Sequence, residues 1–501
     1  MHSKLDSRPY WCISRQRSWG LPIPVFYEKE TNQPFISKDS VQHLRELVKK
    51  YGSDCWWSMD IEELLPKSIR EKGGFRSDTE FVKGSDILDI WFDSGSSWYT
   101  VLPENIKQAD VYLEGIDQFG GWFQSSLITS VAQRDIAPYK KIIAHGFVVD
   151  EDGKKMSKSL GNVIDPANVV EGANDSDLGY GADVLRWWVA LSHEESKVLI
   201  GKSLLKKYYE QIFKVRKTLR YLLGNLADFE LDKRIEVHEM LPQDRYMMHL
   251  LSEFIETCRA FYDAHEYKKV VLSLERFING PASAFYCRIT KDRIYCSSPE
   301  SKDRRSAQTV QFHIADEVLK ILAPVLPFLT EEVSLYHPFD KLGSIFKRTW
   351  TDISVIQSWK DDRLAEKIQH LLHIRDSFNS FIASEDPVEF DLILFAQGHL
   401  FSTLKSLQSY ELHSATSPIC EILQPSNISL LSKPPVVIPD EAHVVEGVCK
   451  NKENGKVFED RYLLLIVPAE GSLCERCRKY TSVKQTELCL RCSTALTDGW
   501  E

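Results

Sequence analysis

The chain has 501 residues, which at about 150 residues per domain points to three or four domains. Apolar residues make up 43% and charged residues 27%, a balance that excludes disorder as the main state and allows a sizeable core. With 62 Lys+Arg against 72 Asp+Glu the formal charge is −10, so any grip on phosphates has to come from a local basic face.

The opening residues lack the apolar stretch of a secretory signal. The longest apolar run, Ile321–Leu329, is broken by Pro324 and Pro327 and falls short of the ~18 residues of a membrane helix, so a soluble chain without a membrane partner is expected. Up to about Ser192, short β-rich pieces (Val111–Leu113, Ile142–Val149) alternate with helix-like stretches such as Phe123–Arg134. That alternation predicts a parallel sheet with crossover helices. Gly115 and Gly120–Gly121 follow a predicted strand end, where ligand crevices of open α/β sheets lie.

From about Lys202 to Trp359 the texture is helical. Leu205, Tyr208, Ile212, Val215, Leu219, Leu222 and Leu226 step alternately by three and four, one apolar seam on an amphipathic helix. Its other faces carry Lys206, Lys207, Lys214, Arg216, Lys217 and Arg220, with Glu210 the only acid. A solvated cationic face and a landing strip for a polyanion fit that pattern equally well. Further seams run through Met247–Phe261, through Val270–Ile278 with a stop near Gly280–Pro281, and through Ala307–Leu322, which together predict a bundle. Beyond Asp361 the pattern is less regular. Short strands return at Phe390–Phe395 and Tyr462–Val467, and Asp386–Pro387 and Pro434–Pro435 read as linkers.

Of eleven cysteines, seven are scattered and four crowd into the last thirty residues. An odd count without an export signal argues for a reducing compartment and for metal binding. Cys474-x-x-Cys477 and Cys489-x-x-Cys492 have the spacing of two knuckles on one structural Zn²⁺, closed and tetrahedral. Arg476, Arg478 and Arg491 are placed to offset the thiolate charge. The string from Asp152 to Asn162 combines a tight-turn Asp-Gly with lysines and hydroxyls. It reads either as a solvated loop or as a mobile loop whose lysines neutralise charge growing on a phosphate.

Within that string, Lys155-Met156-Ser157-Lys158-Ser159 resembles the signature of class I aminoacyl-tRNA synthetases. Trp11–Arg17 with Trp19-Gly20, and Asp89–Ser97, resemble segments of the isoleucine and valine enzymes. Tyr112–Gln118 followed by Gly121-Trp122-Phe123 is similar to the isoleucine type. The resemblance runs from about Pro9 nearly to the end of the chain. It implies an α/β fold: the second half of a Rossmann-like catalytic domain, an all-α anticodon-binding bundle, and a small α+β region with a zinc ribbon. The corresponding boundaries are 1–20 (return strand of an editing domain), 21–200 (catalytic), 201–360 (anticodon-binding), 361–470 (junction) and 471–501 (zinc ribbon).

The resemblance also implies roles. Glu114 matches the carboxylate that holds the α-amino end of the isoleucyl adenylate, with Asp117 and Gln118 beside it. Trp91 and Trp122 match the walls of the side-chain pocket, and His145 and Gly146 the adenine side. Lys155 and Lys158 match the lysines that embrace the triphosphate of ATP, which arrives with Mg²⁺. Lys207, Lys214, Arg216, Lys217 and Arg220 are the tRNA-facing candidates. The implied activity joins isoleucine and ATP to an adenylate and passes the acyl group to tRNA(Ile), in a monomer of the mitochondrial matrix or, alternatively, the cytoplasm. Two departures stand against the pattern. Phe119-Gly120-Gly121 replaces the usual His (or Thr)-Arg-Gly, and no His-x-Gly-His element occurs, so the chain alone is expected not to form the adenylate appreciably. A non-catalytic tRNA-binding fragment and a valine-specific ligase are the alternatives.

Overall fold

The computed structural model describes residues 5–6, 10–172, 179–192, 195–337, 343–408, 416–453, 456–485, 487–497 and 499. Pro9, where the resemblance begins, lies outside them. The chain divides into two compact units, 1–148 with 194–198, and 149–193 with 199–501. No helix among the described residues is long and apolar enough to cross a membrane.

The first unit holds a short antiparallel pair, β1 (Ser14–Arg15) on β5 (Ile87–Leu88), and a three-stranded sheet. That sheet places β2 (Phe26–Glu28) between β3 (Pro34–Phe35) and β4 (Phe81–Lys83). Helix α1 (Lys38–Tyr51) starts on a reciprocal Ser37/Ser40 capping box and sends Leu44 into a core of Phe26, Phe35, Trp56, Leu64 and Phe81. Next come α2 (Ile90–Gly95), β6 (Ala109–Gly115), α3 (Trp122–Arg134) and β7 (Tyr139–His145). Strands β6 and β7 pair in parallel with α3 as the crossover, as the alternation predicts. The strand expected over Ile142–Val149 breaks at Gly146, where backbone from residues 195–196 approaches closely: a Cβ there would lie 2.2 Å from Glu195 O.

The second unit is mainly helical: α4 (Ala182–Ser192), α5 (Lys202–Asn225), α6 (Pro242–Ala264), α7 (Tyr267–Phe277), α8 (Lys291–Cys296), α9 (Lys302–Leu322) and α10 (Pro327–Leu335). The α5 seam is buried at Leu205, Ile212, Val215, Leu219 and Leu222, and Met247, Leu251, Leu274 and Val318 of the other helices are buried too. Helix α4 is tied to the α9–α10 turn by polar contacts. Asp183 accepts the N–H groups of Phe328 and Leu329 (3.3 and 2.8 Å), and Arg186 donates to Pro324 O and Val325 O (2.7 and 3.0 Å). The predicted stop at Gly280–Pro281 does not occur. The chain continues through Ile278–Cys287 as a π-helix, whose wider turns accommodate a proline that has no N–H for Phe277 O and would crowd that carbonyl.

Beyond Asp361 the chain is more regular than its sequence suggests. Helix α11 (Asp362–Ile382) runs 21 residues from an Asp361 cap and buries Leu364, Ile368, Leu371, Ile374 and Phe378. A four-stranded sheet follows, in the order β9 (Asn427–Leu431), β8 (Phe390–Ala396), β11 (Lys456–Pro468), β10 (His443–Glu453), with α12 (Pro418–Leu423) between β8 and β9. Pairing is parallel for β8–β9 and antiparallel for the other two. A last pair, β12 (Ser472–Leu473) with β13 (Tyr480–Ser482), precedes α13 (Leu490–Thr497).

One buried ionic cluster joins these helices. Arg293 of α8 spans both oxygens of Asp244 (2.7 and 2.8 Å) and pairs with Glu421 of α12 (2.7 Å). Tyr286 and Ser306 donate to Asp244, and Gln243 donates to Glu421. Burial pushes the Glu421 carboxyl up to about 7, against the opposing pull of Arg293. Between its unfolded value of about 4.3 and that point, the folded chain holds a proton that the unfolded chain has released, so this group's contribution to stability falls as pH rises through the window. Glu421→Gln is therefore expected to flatten the pH dependence. The stability gap between wild type and variant, read from urea midpoints, changes by on the order of 2 kcal/mol from pH 5 to pH 8.

Candidate functional site

In the first unit the organising residue is Asp89. It caps α2 by accepting the Trp91 N–H (3.4 Å) and accepts from Trp11 Nε1 (2.9 Å) and Arg15 Nη2 (2.8 Å). The two Trp-containing segments, some 75 residues apart, are thereby locked together. Burial and the Asp89 carboxylate push the nearby Asp93 carboxyl up. A cleft of about 360 Å³ opens beside Asp89, lined in part by Trp11, Trp91, Gly121, Gln124 and Ser125. Gly121 is required there, because a Cβ would lie 2.7 Å from the Trp91 ring.

The two tryptophans that the sequence groups as pocket walls both lie around the start of α3, Trp91 with its ring against Gly121 and Trp122 next to that glycine. Trp91 lines the cleft. Trp122 stacks on Tyr112 (4.0 Å, 4°) and donates its indole N–H to Ser94 O and Ser97 Oγ, both at 3.0 Å, so it fastens α3 to β6 and α2. Glu114 and His145 stand exposed at the carboxyl ends of β6 and β7, where the register sets Glu114 opposite Ala144 and Gly115 opposite His145. Gln118 is engaged internally: its Oε1 accepts the Trp122 N–H (3.1 Å) and its Nε2 donates to Asp117 (3.0 Å). Gly146 has the packing reason already given.

The second unit carries the lysine loop. Asp150 accepts the N–H groups of Lys154 (2.7 Å) and Asp152 (3.1 Å) and the side-chain amide of Asn162 (2.8 Å), and the Asn162 and Lys154 donors hold it below the usual carboxylate range. Asn162 closes the loop by accepting the Ser157 N–H (2.9 Å) and donating to Lys155 O (3.3 Å). Gly153 and Gly161 sit at φ +76 and +64, backbone conformations that side chains disfavour. Lys154 pairs with Asp152, whereas Lys155 and Lys158 have no ion-pair partner among the described residues. At the base of the loop, Glu151 accepts from the backbone and hydroxyl of Ser203 at the N-terminus of α5. Sequence reasoning leaves Asp150, Glu151 and Asn162 without roles, although the Asn162 contacts are local. Asn162→Ala is expected to loosen the loop by about 1–3 kcal/mol, speeding tryptic cleavage after Lys155 and Lys158 about tenfold while the global melt stays put.

On α5, Lys207, Lys214, Arg216, Lys217 and Arg220 are all exposed. Arg216 is spent on Glu332, and Lys217 lies 4.6 Å over the Phe213 ring. Beside α5 a groove of about 450 Å³ is lined by Lys217, Tyr221, Arg288 and Lys291 and by no acidic residue. No sequence pattern marks the last two cations, because Arg288 directly follows the π-helix, which replaces the stop predicted at Gly280–Pro281.

The sulfurs of Cys474, Cys477, Cys489 and Cys492 lie within 4.8 Å of one another, and Cys477 and Cys489 are 3.9 Å apart. Tetrahedral thiolates at about 2.3 Å from a zinc ion are about 3.8 Å apart, so the set fits a metal ion of that size. The Cys489 N–H also points at Cys474 Sγ (3.3 Å). The arginines expected to offset the thiolates have other partners as well: Arg491 forks onto Asp292, and Arg476 donates to carbonyls of α8.

The chain is similar to known proteins over most of its length. The family described as tRNA synthetases class I (I, L, M and V) matches residues 1–200, and the anticodon-binding domain of tRNA ligase matches residues 244–384. The mitochondrial isoleucine–tRNA ligase of Gallus gallus is 43% identical over 500 residues, which cover 98% of this chain and 50% of that protein. Its counterpart in Mus musculus is 41% identical (99% and 49%), and the isoleucine–tRNA ligase of Microcystis aeruginosa is 38% identical (99% and 52%). The chain thus spans about half the length of the curated relatives it matches.

Proposed function

We propose, starting from a chain that is homologous to the class I isoleucine–tRNA ligases over nearly its whole length, that it supplies the carboxyl-side half of such an enzyme. The reaction is condensation of isoleucine with ATP to an adenylate and diphosphate, then transfer of the acyl group to the terminal ribose of tRNA(Ile). The observation that carries the reading is the 43% identity across 98% of the chain.

Glu114, exposed at a strand end, is assigned to the α-amino group, since an ammonium needs a facing carboxylate once water leaves the site. Asp117 sits beside it, held by Gln118. Trp91 and Trp122 are assigned as the flat walls for the isoleucine side chain, with Trp122 backed by its stack on Tyr112. His145 and Gly146 are assigned to the adenine side. Lys155 and Lys158 face the triphosphate and its Mg²⁺, where a cation stabilises charge passing to the leaving diphosphate. The basic face of α5 and the groove through Arg288 and Lys291 are assigned to the tRNA backbone. The four cysteines hold Zn²⁺ as a structural ion with no position left for water. The mitochondrial matrix is the proposed compartment, by likeness to the vertebrate relatives.

The test is isoleucine-dependent pyrophosphate exchange. The purified chain alone is expected to give none above background. Joined to the portion of the Gallus gallus relative that it does not match, it is expected to exchange with isoleucine well ahead of valine. Exchange driven by valine, or an inactive but folded chimaera that still binds tRNA, would overturn the reading in favour of the valine enzyme or a tRNA-binding fragment.

A further inference from the structure

One exposed face of α5 mixes rings with cations. At 3.6 residues per turn, Lys206, Tyr209, Phe213, Arg216, Lys217 and Arg220 fall within an arc of about 100°, and all six are exposed. Tyr209 and Phe213 are 44% and 41% exposed, and their rings run nearly parallel one helical turn apart (centroids 6.2 Å, 11°). The Tyr180 ring packs against Tyr209 (5.7 Å, 58°), and the Lys217 ammonium lies 4.6 Å from the Phe213 centroid. Arg216 reaches Glu332 of α10, whereas Lys206, Lys217 and Arg220 have no ion-pair partner among the described residues. Glu210, at the edge of the arc, is the only acid on the helix. A chain of net charge −10 thus gathers cations on this face and sets two large, half-exposed rings among them. The cations call for an anionic partner, and the rings leave apolar area that a flat group would cover.

We infer that Tyr209 and Phe213 are a stacking platform for unpaired RNA bases, with Lys206, Lys217 and Arg220 taking the phosphates on either side. Every base has a π-face and every nucleotide a charge, so rings flanked by cations along about 21 Å of helix suit a single strand. A duplex keeps the faces of its bases stacked inside and would meet the cations alone. An acidic peptide would likewise use the cations and leave the rings without a flat partner. In the free chain Lys217 covers the Phe213 ring. On binding it exchanges the ring for a phosphate and frees that face for a base. This inference rests on the assignment of α5 to tRNA and narrows it, since the face takes a stretch with unpaired bases rather than the backbone of a stem.

The test uses the full chain with three probes: a single-stranded RNA of about ten nucleotides carrying 2-aminopurine, the same strand in a duplex, and a tRNA(Ile) transcript. Tyr209→Leu and Phe213→Leu keep apolar bulk without the flat ring, Tyr209→Phe keeps the ring, and Lys217→Gln and Arg220→Gln remove charge. Both rings are nearly half exposed, so every variant is expected to melt with wild type. Wild type is expected to quench the 2-aminopurine and to bind the single strand more tightly than the duplex. Each leucine variant is expected to bind the single strand and the tRNA about tenfold more weakly and to lose quenching, with the slope of log affinity against log salt unchanged. The glutamine variants are expected to lower that slope by about 0.7 each and to keep the quenching, and Tyr209→Phe to stay within about twofold of wild type. Leucine variants that bind and quench like wild type would overturn the platform, as would a duplex bound as tightly as the single strand. Polyglutamate bound by wild type and lost in the leucine variants would overturn it in favour of an acidic peptide. Binding of tRNA indifferent to both rings would remove the platform and leave the tRNA assignment standing, whereas a wild-type chain that binds neither tRNA nor single strand would remove both.

Discussion

Chelating the metal from the loaded chain is expected to release residues 472–497 while the helical bundle keeps its melting temperature. Apart from the ion, the segment is held by short elements and by polar ties to its neighbours. Its regular structure is a short strand pair and one eight-residue helix, both below the size at which such elements persist alone in water. Its buried core is largely the cysteines themselves. Removing the ion removes a binding free energy of about 10–16 kcal/mol by analogy with zinc-finger peptides and leaves four sulfurs crowded without a centre. The Arg491 fork on Asp292, the Arg476 bonds to carbonyls of α8 and the Tyr480 N–H to Ser426 Oγ (2.8 Å) remain, each worth about 1–3 kcal/mol. The bundle closes its core on Leu219, Leu222, Met247, Leu251 and Ile314, all buried, and on the Arg293 cluster, none of which uses the ion. Amide exchange separates the two outcomes: protection lost from the tail alone is expected. A tail that stays protected after chelation would overturn the metal reading.

How much of this was legible follows from the range of the interactions involved. The α5 seam, the parallel pair around a crossover helix, and the cysteine knuckles are written in spacings of two to thirty residues, and each appears where the sequence places it. The missed stop at Pro281 is a local rule overruled. Burial of one face of residues 278–287, at Ile278, Ala282, Tyr286 and Cys287, holds the backbone helical, and the proline is absorbed by widening the turn. Helix α11 escaped because its seam is diluted by Gln369, His370, His373 and Arg375, even though its buried positions step by three and four. The least legible features are the polar contacts that shape the sites. Asp89 meets Trp11 across 78 positions, and Glu421 meets Arg293 across several helices and a strand. A charged residue's partner at that separation has no periodicity to betray it. Trp122 makes the same point from the opposite side. Its motif singles it out as a site residue, but nothing in that segment shows that it stacks on Tyr112 and donates to Ser94 and Ser97.

Lys158→Ala, made in the chimaera that carries out exchange, is expected to slow adenylate formation by about 10²–10³-fold, a loss of about 3–4 kcal/mol of transition-state stabilisation. Three cations lie in the loop, and the structure sorts them. Lys154 is tied to Asp152, while Lys155 and Lys158 have no ion-pair partner among the described residues and keep their charge available to a ligand. Lys158 opens the short 3-10 turn Lys158–Leu160, capped by Ser157, whose own N–H is held by Asn162, so its backbone is set by the same latch that shapes the loop. A positioned ammonium gains most where negative charge grows, which in this reaction is the leaving diphosphate rather than the bound ground state. The loss is therefore expected chiefly in kcat for exchange, with the KM for ATP changed less and tRNA affinity within about twofold, because one phosphate contact among many adds little to polyanion binding. Lys158→Arg keeps the charge but not its shape and is expected to fall between the two. Equal losses in exchange rate and tRNA affinity would assign Lys158 to general attraction for phosphates and remove it from the chemistry.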